Sequence, residues 1–525
     1  MDTNTITARP LTVEVLGAWT RRFFALFLGV LGIRILFAAT FPLDFAGDEA
    51  YYWDWGRRLD WGYYSKPPMV GWLFALAGWV GNDSFFVFKL VPVILTALGT
   101  LALYALARDL YGERAAFWTG ALVMATPATA VLSILLTIDP PLFLFWSLSL
   151  WLAWRWLNGA GGWLTPLALA TALGAGYLSK PIQLLFPVML LCFLALSAAD
   201  RHWLRQPRLY AVLGGSLLFL LPVALWNHRH DWITFTHTAH HFEPPDLRWG
   251  KLLGRPLEFA GSQLGLCSPV VWVLMLACLV AVAARWRQSD RRQRFLFCFS
   301  APMLAAVGLM SFWQRVHPNW PLVFYLSALV LVGGWASTGL NLGERLERWR
   351  RWFRPGLGIA VGLSALAYAA TFTLGSTPLA GGRSDPAERL RGWRELGGEV
   401  GAIRAALPEG ERTLVLVAAR RQVASQLAYY LPGRPRVYRL ENPARVNSQY
   451  GIWGGPGPEY RGRNALLVTE GERAVELPQE LSQAFDRIES LGAVRVPLGP
   501  GGRARTVHLW HGVGFRQWPY PVPHR

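Results

Sequence analysis

The sequence predicts a polytopic α-helical membrane protein that ends in a small α/β domain. Hydrophobic residues make up 53% of the 525 residues, only 16% are charged, and the mean hydropathy is +0.27. Such a chain lacks the polar surface that a water-soluble fold of this length requires. Apolar stretches of nearly bilayer length recur from Arg22 to Thr377, whereas the remaining segment is richer in charged and turn residues.

The apolar stretches predict about eleven transmembrane helices. They lie at 22–42, 86–107, 115–133, 140–157, 163–179, 181–198, 209–227, 267–285, 295–313, 319–340 and 355–377. On this division residues 1–21 form a cytoplasmic N-terminus, residues 22–378 form the transmembrane domain, and residues 379–525 form a domain on the outer side.

The positive charge of the chain follows the same topology. The formal net charge is +18, and with a cytoplasmic N-terminus the inner loops carry the dense arginine clusters at 285–294 and 345–354. This is the bias that orients membrane proteins. Because topology accounts for the charge, no nucleic-acid partner is expected.

The first long outer loop, 43–85, carries an acidic pair. It begins with Gly47-Asp-Glu-Ala-Tyr-Tyr-Trp53, so that Asp48 and Glu49 lie near the membrane surface among aromatic side chains, which prefer that zone. An acidic pair in this position either caps a helix in solvent or accepts a proton in a reaction.

The rest of this loop predicts two helices. Tyr51, Trp55, Arg58 and Leu59 recur at helical spacing, which is typical of an amphipathic helix along the interface. Lys66 precedes two prolines that suit a helix start, where anions are favoured. Transfer of a group from a lipid phosphate needs a carboxylate that accepts a proton and a cation that holds the phosphate, and this loop offers both.

These motifs resemble the first outer loop of family 39 glycosyltransferases, the type-C enzymes that include protein O-mannosyltransferases and the aminoarabinose transferase of lipid A. The resemblance covers about residues 20–340. Its motifs are Gly47–Trp53, Tyr64-Ser-Lys-Pro-Pro68, Thr137-Ile-Asp-Pro-Pro141, Ser179-Lys180, Trp226-Asn227 and His317-Pro-Asn-Trp-Pro321. The residues before Lys-Pro-Pro differ from those of some relatives, so the identities of the sugar and the acceptor do not transfer.

The resemblance implies roles for five residues. Asp48 matches the catalytic aspartate, a general base on the acceptor or a residue that orients it, and Glu49 matches its acidic neighbour. Asp139 falls where the family has a second acid near the active site. Lys66, together with Tyr64, matches the site of the donor phosphate.

Four further residues are candidates for this site. His317 and Asn319 occupy a loop that borders the cavity in this family, and Lys180 either lines the cavity or marks a helix boundary. Arg34 lies inside the first span, where a charge is costly. Its position indicates either structural pairing or snorkelling, or contact with the donor head group.

The second long outer loop, 228–266, is rich in histidine. His237 and His241 are four residues apart and could share a helix face as metal ligands. No cysteine or fixed ligand pattern supports a metal there, so a solvated or acceptor-contacting loop is the favoured alternative. No cofactor is therefore expected, and a divalent metal remains the second alternative.

The outer domain has the pattern of an α/β fold. Residues 414–418, 465–468 and 506–510 read as strands, and residues 422–430 read as a helix. Its many arginines, Arg420 and Arg421 among them, either meet anionic lipid or a phosphorylated glycan or form a solvated surface. The solvated surface is the favoured alternative, and no site is assigned to them.

These observations predict an integral membrane glycosyltransferase in a bacterial inner membrane, with its C-terminal domain in the periplasm. The expected donor is a polyprenyl-phosphate sugar, and the acceptor is a lipid, a glycan or a protein. A transporter or flippase of polyprenyl-linked glycans is the alternative, although the chain lacks a convincing internal repeat and its acids concentrate in outer loops. A non-catalytic assembly or sensor protein is a weaker third possibility.

Overall fold

A computed structural model describes residues 17–239, 249–338, 340–473 and 476–520. The helices before the C-terminal region are α1 Ala18–Thr40, α2 Gly47–Gly56, α3 Met69–Gly81, α4 Phe85–Tyr111, α5 Glu113–Ala125, α6 Pro127–Leu132, α7 Asp139–Leu157, α8 Leu164–Ser179, α9 Leu185–Leu196, α10 Pro207–Leu217, α11 Leu221–Arg229, α12 Ile233–Ala239, α13 Trp249–Cys267, α14 Pro269–Ala284, α15 Arg291–Cys298, α16 Ala301–Met310, α17 Leu322–Thr338, α18 Glu344–Trp349 and α19 Phe353–Thr373.

Each of the eleven predicted spans coincides with one helix or with a pair of consecutive helices. Among the described residues, five helical segments are long and apolar enough to cross a membrane, or six if α13 and α14, which are bent by 106° at their junction, form one span. Four other apolar helices are shorter, including α8 and α17. A membrane-type helical fold is therefore present, and the number of eleven crossings stays a prediction.

The helices expose apolar side chains where a lipid-facing surface is expected. Leu28 and Leu36 of α1 and Leu366 of α19 are each more than 60% exposed. Such a surface is unfavourable in water and favourable against lipid tails.

Lys180 separates α8 from the next helical segment, as predicted. Its backbone is extended, and the 3₁₀ helix Pro181–Leu184 follows it and leads into α9. Proline fits the first turn of a helix because it lacks the amide hydrogen that the interior of a helix needs.

The first outer loop forms the two predicted helices, but α2 is not an interfacial surface helix. Every residue from Glu49 to Trp55 is buried. Its aromatic side chains pack against α3 on one side and against the C-terminal region on the other, which an amphipathic spacing alone does not reveal. By contrast, α3 exposes Trp79 and Val80 and retains the character of an interfacial helix.

The second outer loop is more helical than expected. It contains α12 and most of α13, and α13 exposes Leu253 and Leu257, which lie four residues apart on one face. An exposed apolar face on a helix favours contact with lipid or with another protein surface.

The C-terminal region is built on a mixed five-stranded sheet. It comprises α20 Trp393–Ala406, β1 Leu414–Ala418, α21 Arg421–Tyr430, β2 Val437–Arg439, α22 Gln449–Trp453, β3 Ala465–Glu470, α23 Gln479–Ser482, β4 Phe485–Pro497 and β5 Ala504–Phe515. The strand order is β2-β1-β3-β5-β4. Strand β1 pairs in parallel with β2 and β3, whereas β5 runs antiparallel to β3 and β4. The predicted strands and helix agree with β1, β3, β5 and α21, and β2, β4 and α20 were not predicted.

One hydrophobic core joins the first outer loop to the C-terminal region. Trp55 of α2, Phe74 of α3, Leu427 of α21 and Val415 of β1 all belong to it and are nearly or fully buried. Helix α2 also receives backbone and side-chain hydrogen bonds from this region, among them the bond of the Tyr450 hydroxyl to Asp54 Oδ2 at 2.8 Å. The C-terminal region therefore holds the loop that carries the predicted acids.

Candidate active site

Asp48 lies at the start of α2 with its carboxylate towards solvent. Its side chain is 51% exposed, and Oδ1 accepts a hydrogen bond from Nη2 of Arg421 at 2.9 Å. The side chain is therefore accessible to a substrate while it is held by one cation from the C-terminal region.

Glu49, the next residue, lies inside the protein. Its side chain is fully buried, and both of its oxygens accept hydrogen bonds from the Lys89 ammonium at 2.8 Å. It also accepts hydrogen bonds from the backbone amides of Ala46 and Leu136, each at 3.0 Å. This carboxylate is committed to protein partners, so it is a positioning residue rather than a group that reaches a substrate.

Lys66 lies in the turn before α3 and is half-buried. Within the described part of the chain, no carboxylate lies within ion-pairing distance of its ammonium. Burial lowers the pKa of Lys66, the charge of Lys180 lowers it further, and the Asp48 and Asp139 carboxylates oppose this. A half-buried cation without an ion-pair partner has its charge available for an anion.

Asp139, Lys180 and Asn319 converge from three separate segments of the chain. The Lys180 ammonium donates a hydrogen bond to Asp139 Oδ1 at 2.7 Å, and the Asn319 amide donates one to Oδ2 at 2.8 Å. Asp139 is the first residue of α7 and is followed by two prolines, a sequence that favours a helix start. Three of the predicted residues thus form one hydrogen-bonded cluster.

The buried Tyr52 is subject to the charges of both candidate acids, Asp48 and Asp139. Burial raises the pKa of its hydroxyl well above the ordinary value, and the Asp48 carboxylate raises it further, as does that of Asp139, while Arg421 acts in the opposite direction. Because both carboxylates act on one phenol and also on Lys66, Asp48, Lys66 and Asp139 belong to a single electrostatic neighbourhood.

The structure also places the three remaining predicted residues, Tyr64, His317 and Arg34. The Tyr64 ring contacts the His237 ring in a tilted arrangement, with centroids 4.7 Å apart, and the Tyr64 backbone amide donates to Gln449 Oε1 at 2.7 Å. His317 is exposed on the loop that also carries Asn319. Arg34 is buried in α1 and donates to the Met124 carbonyl at 3.0 Å, which is the structural pairing that was one of its two predicted alternatives.

No metal-binding group is evident in the described residues, where no three His, Cys, Asp or Glu side chains are arranged to hold an ion. His230 Nδ1 lies 2.7 Å from the Trp226 carbonyl oxygen, and its ring stacks on that tryptophan. His241, half of the predicted metal pair, lies outside the described residues, as do His240, Glu243 and Asp246.

Three residues of this region were not identified as site residues from the sequence. Arg421 was grouped with solvated arginines, Lys89 was read as part of a span, and Tyr52 was read only as an interfacial aromatic residue. Of the three, Lys89 carried a signal in the sequence, since a charge inside a long apolar helix requires a partner. Nothing local distinguishes Arg421 from Arg420, because its contact with Asp48 is set by the packing of α21 on α2.

Comparison with known proteins gives the following relatives. Residues 65–226 match the family described as dolichyl-phosphate-mannose-protein mannosyltransferase. The chain is 28% identical over 296 residues to the lipid A galacturonosyltransferase RgtD of Rhizobium johnstonii, covering 55% of this chain and 60% of that protein. It is also 28% identical over 336 residues to the undecaprenyl phosphate-alpha-4-amino-4-deoxy-L-arabinose arabinosyl transferase of Pseudomonas aeruginosa, covering 58% of this chain and 56% of that protein. The matched part therefore spans less than two thirds of each of these relatives.

The fold is also similar to solved structures. The structure of ArnT from Cupriavidus metallidurans bound to undecaprenyl phosphate superposes with a TM-score of 0.60 at 16% identity, covering 94% of this chain and 98% of that chain. The archaeal oligosaccharyltransferase AglB from Archaeoglobus fulgidus gives a TM-score of 0.50 at 12% identity, covering 86% and 70%. The named relatives are transferases, so the flippase alternative gains no support from them. The resemblance inferred from the outer-loop motifs is confirmed: in sequence and in fold, this chain is similar to the type-C membrane glycosyltransferases.

Proposed function

We propose that this protein is a membrane glycosyltransferase that moves a sugar from a polyprenyl-phosphate donor to a lipid-linked acceptor. The observation that carries the proposal is an accessible carboxylate, Asp48, whose charge acts on the half-buried ammonium of Lys66, a cation that has no ion-pair partner among the described residues. One relative is named as a lipid A galacturonosyltransferase and the other is named for an undecaprenyl-phosphate sugar, which supports this choice of acceptor and donor. Glycan and protein acceptors remain the other classes.

Lys66 holds the phosphate of the donor. A polyprenyl tail cannot leave the bilayer, because each buried CH₂ group contributes about 0.8 kcal/mol, so the enzyme must meet the phosphate at the membrane surface. When the bond between the phosphate and the anomeric carbon breaks, the leaving phosphate gains negative charge. A fixed ammonium stabilises this charge without reorganising.

Asp48 acts as the general base. The acceptor hydroxyl attacks the anomeric carbon, its proton passes to Asp48, and the polyprenyl phosphate departs from the opposite face. Attack from the opposite face inverts the anomeric configuration. The exposed carboxylate is accessible to the acceptor, whereas that of Glu49 is not.

The Asp139 cluster orients the sugar beside these groups. Its carboxylate is fixed by Lys180 and Asn319, so its remaining hydrogen-bonding capacity can be directed at sugar hydroxyls. Glu49 links this cluster to Asp48, because it caps the helix that carries Asp48 and binds the backbone three residues before Asp139.

The test uses purified protein in detergent with a radiolabelled polyprenyl-phosphate sugar and an extract of cell-envelope lipids. Transfer of the label to a new lipid product is expected, and Asp48→Asn is expected to abolish it. Asp60→Asn is the matched control, since Asp60 lies in the same loop and accepts a hydrogen bond from the Trp61 amide. In protein reconstituted into lipid vesicles, movement of the donor between leaflets without covalent transfer would instead establish a flippase.

A further inference from the structure

Arg421 is the one cation that the C-terminal region contributes to the described site. It is the first residue of α21, its Nη2 lies 2.9 Å from Asp48 Oδ1, and its guanidinium carbon lies 4.5 Å from the centroid of the Tyr51 ring. The Arg421 side chain is 30% exposed, so part of it is accessible to solvent beside the exposed carboxylate of Asp48.

The packing of α21 on α2 fixes the position of this arginine. A Cβ atom on Gly47 would lie 2.6 Å from Cγ of Gln422, so the two helix starts approach as closely as a glycine permits. Gln426 donates to the Phe45 carbonyl at 2.8 Å, and the Phe45 amide donates to the Tyr430 hydroxyl at 2.9 Å. The guanidinium is therefore presented by a rigid element rather than by a loose surface segment.

Once Asp48 has accepted a proton as the base, the site holds one cation more than it has anions to pair with. At rest, Arg421 is paired with Asp48, and Lys180 with Asp139, which leaves Lys66 for the donor phosphate. When Asp48 takes the acceptor proton it becomes neutral, and Arg421 loses its only described carboxylate partner. A partly buried guanidinium without an anion is unfavourable, whereas a planar oxyanion matches its fork of donors.

We propose that Arg421 binds an oxyanion carried by a substrate of this site and thereby frees Asp48 to act as the base. The inference rests on the proposed function. Two sources supply this chemistry: the carboxylate of a uronic acid as the transferred sugar, or a phosphate on the acceptor lipid next to the attacking hydroxyl. Arg421 makes the enzyme selective for the substrate that bears the charge.

The experiment compares wild-type protein with Arg421→Gln and Arg421→Lys on matched substrates. One arm uses a polyprenyl-phosphate hexuronate and the corresponding neutral hexose with one acceptor. The other arm uses the neutral donor with lipid A and with dephosphorylated lipid A. Arg420→Gln is the control, because Arg420 is the neighbouring arginine but pairs with Glu470 at 2.6 Å.

For Arg421→Gln, kcat/KM is expected to fall roughly 10- to 100-fold more on the charged substrate than on its neutral counterpart, with a smaller excess for Arg421→Lys, which keeps the charge but not the fork. An excess loss on the hexuronate identifies the sugar carboxylate, and one on phosphorylated lipid A identifies the acceptor phosphate. In variants that remain folded, equal losses on charged and neutral substrates, or no loss on any of them, would overturn the inference.

Two further measurements keep the two proposals separable. Thermal unfolding of each variant shows whether a uniform loss of activity reflects misfolding, in which case direct binding decides. Binding of the hexuronate donor and of lipid A, by thermophoresis in detergent, is expected to weaken in Arg421→Gln for the charged ligand alone, and unchanged binding of both overturns the inference. Wild-type protein that transfers no sugar refutes the proposed function, whereas active wild-type protein with no charge-selective effect refutes only the role of Arg421.

Discussion

The two sides of the first turn of α2 carry ion pairs of opposite character. On the inner side, Glu49 and Lys89 form a pair that is entirely buried, and the Lys89 ammonium also lies 4.7 Å from the centroid of the Phe41 ring. On the outer side, Asp48 and Arg421 form a pair that stays half-exposed. Adjacent acids of one motif thus have different roles: the Glu49 carboxylate stabilises the fold, and the Asp48 carboxylate remains accessible.

This difference has a physical origin. A buried charge survives only when its partner and its hydrogen bonds are complete, and Glu49 has both. An exposed carboxylate exchanges partners at little cost because water replaces what is lost. The comparison therefore predicts that substitutions on the outer side change activity, whereas those on the inner side change stability first.

The largest effect is expected for Asp48→Asn. Removal of a general base typically costs about 10²- to 10⁴-fold in rate, and kcat should fall by that factor while the melting temperature stays close to that of the wild type. Steady-state kinetics and thermal unfolding measure the two quantities. A large loss of stability in this variant would show that the outer pair is structural as well.

Substitution of Glu49 by Ala is expected to lower the free energy of unfolding by about 3–5 kcal/mol, because Lys89 is left buried without its partner. Chemical denaturation in detergent measures the change. The double variant Glu49→Met with Lys89→Met is the control, and it should recover much of the stability because no charge remains buried. If Glu49→Ala were stable yet inactive, Glu49 would belong with Asp48 as a functional acid.

Lys66 provides a test through pH. Since burial chiefly lowers its pKa, the ammonium loses its proton at a lower pH than an ordinary lysine does. Donor kcat/KM should therefore fall on the alkaline side as the pH rises through this lowered value. Lys66→Arg, which stays charged, should move the alkaline loss to higher pH, and identical alkaline limbs would exclude Lys66 as the phosphate cation.

The smallest effect is expected for Asn319→Ala. It removes one hydrogen bond to the Asp139 carboxylate while Lys180 still holds the other oxygen, so kcat/KM should fall by roughly tenfold. Asn341→Ala is the matched control, because Asn341 accepts its hydrogen bond from Arg285, outside this cluster. If the two variants had the same kcat/KM, Asn319 would not be part of the site.

Much of the helical architecture follows from local patterns. Hydropathy predicted a helix at each span, and proline predicted the starts of α7 and of the segment after Lys180. Short continuous apolar runs predicted β1 and β3 as buried strands. The strand β4 was missed because it is largely exposed and carries the charged residues Asp486, Arg487, Glu489 and Arg495, so it lacks the apolar run of a buried strand.

The sequence by itself determined that this is a helical membrane-type chain with acids and a lysine in its first outer loop, because hydrophobicity and motif spacing are local properties. It also identified Asp139, Lys180 and Asn319 as separate candidates. Only the tertiary structure decided that these three contact one another, that Glu49 turns inward while Asp48 turns outward, and that Arg421 reaches Asp48 from 373 residues away. These outcomes depend on how α2, α4 and α21 pack together. Packing brings distant residues into contact, and the local sequence around each residue does not indicate which distant residue that will be.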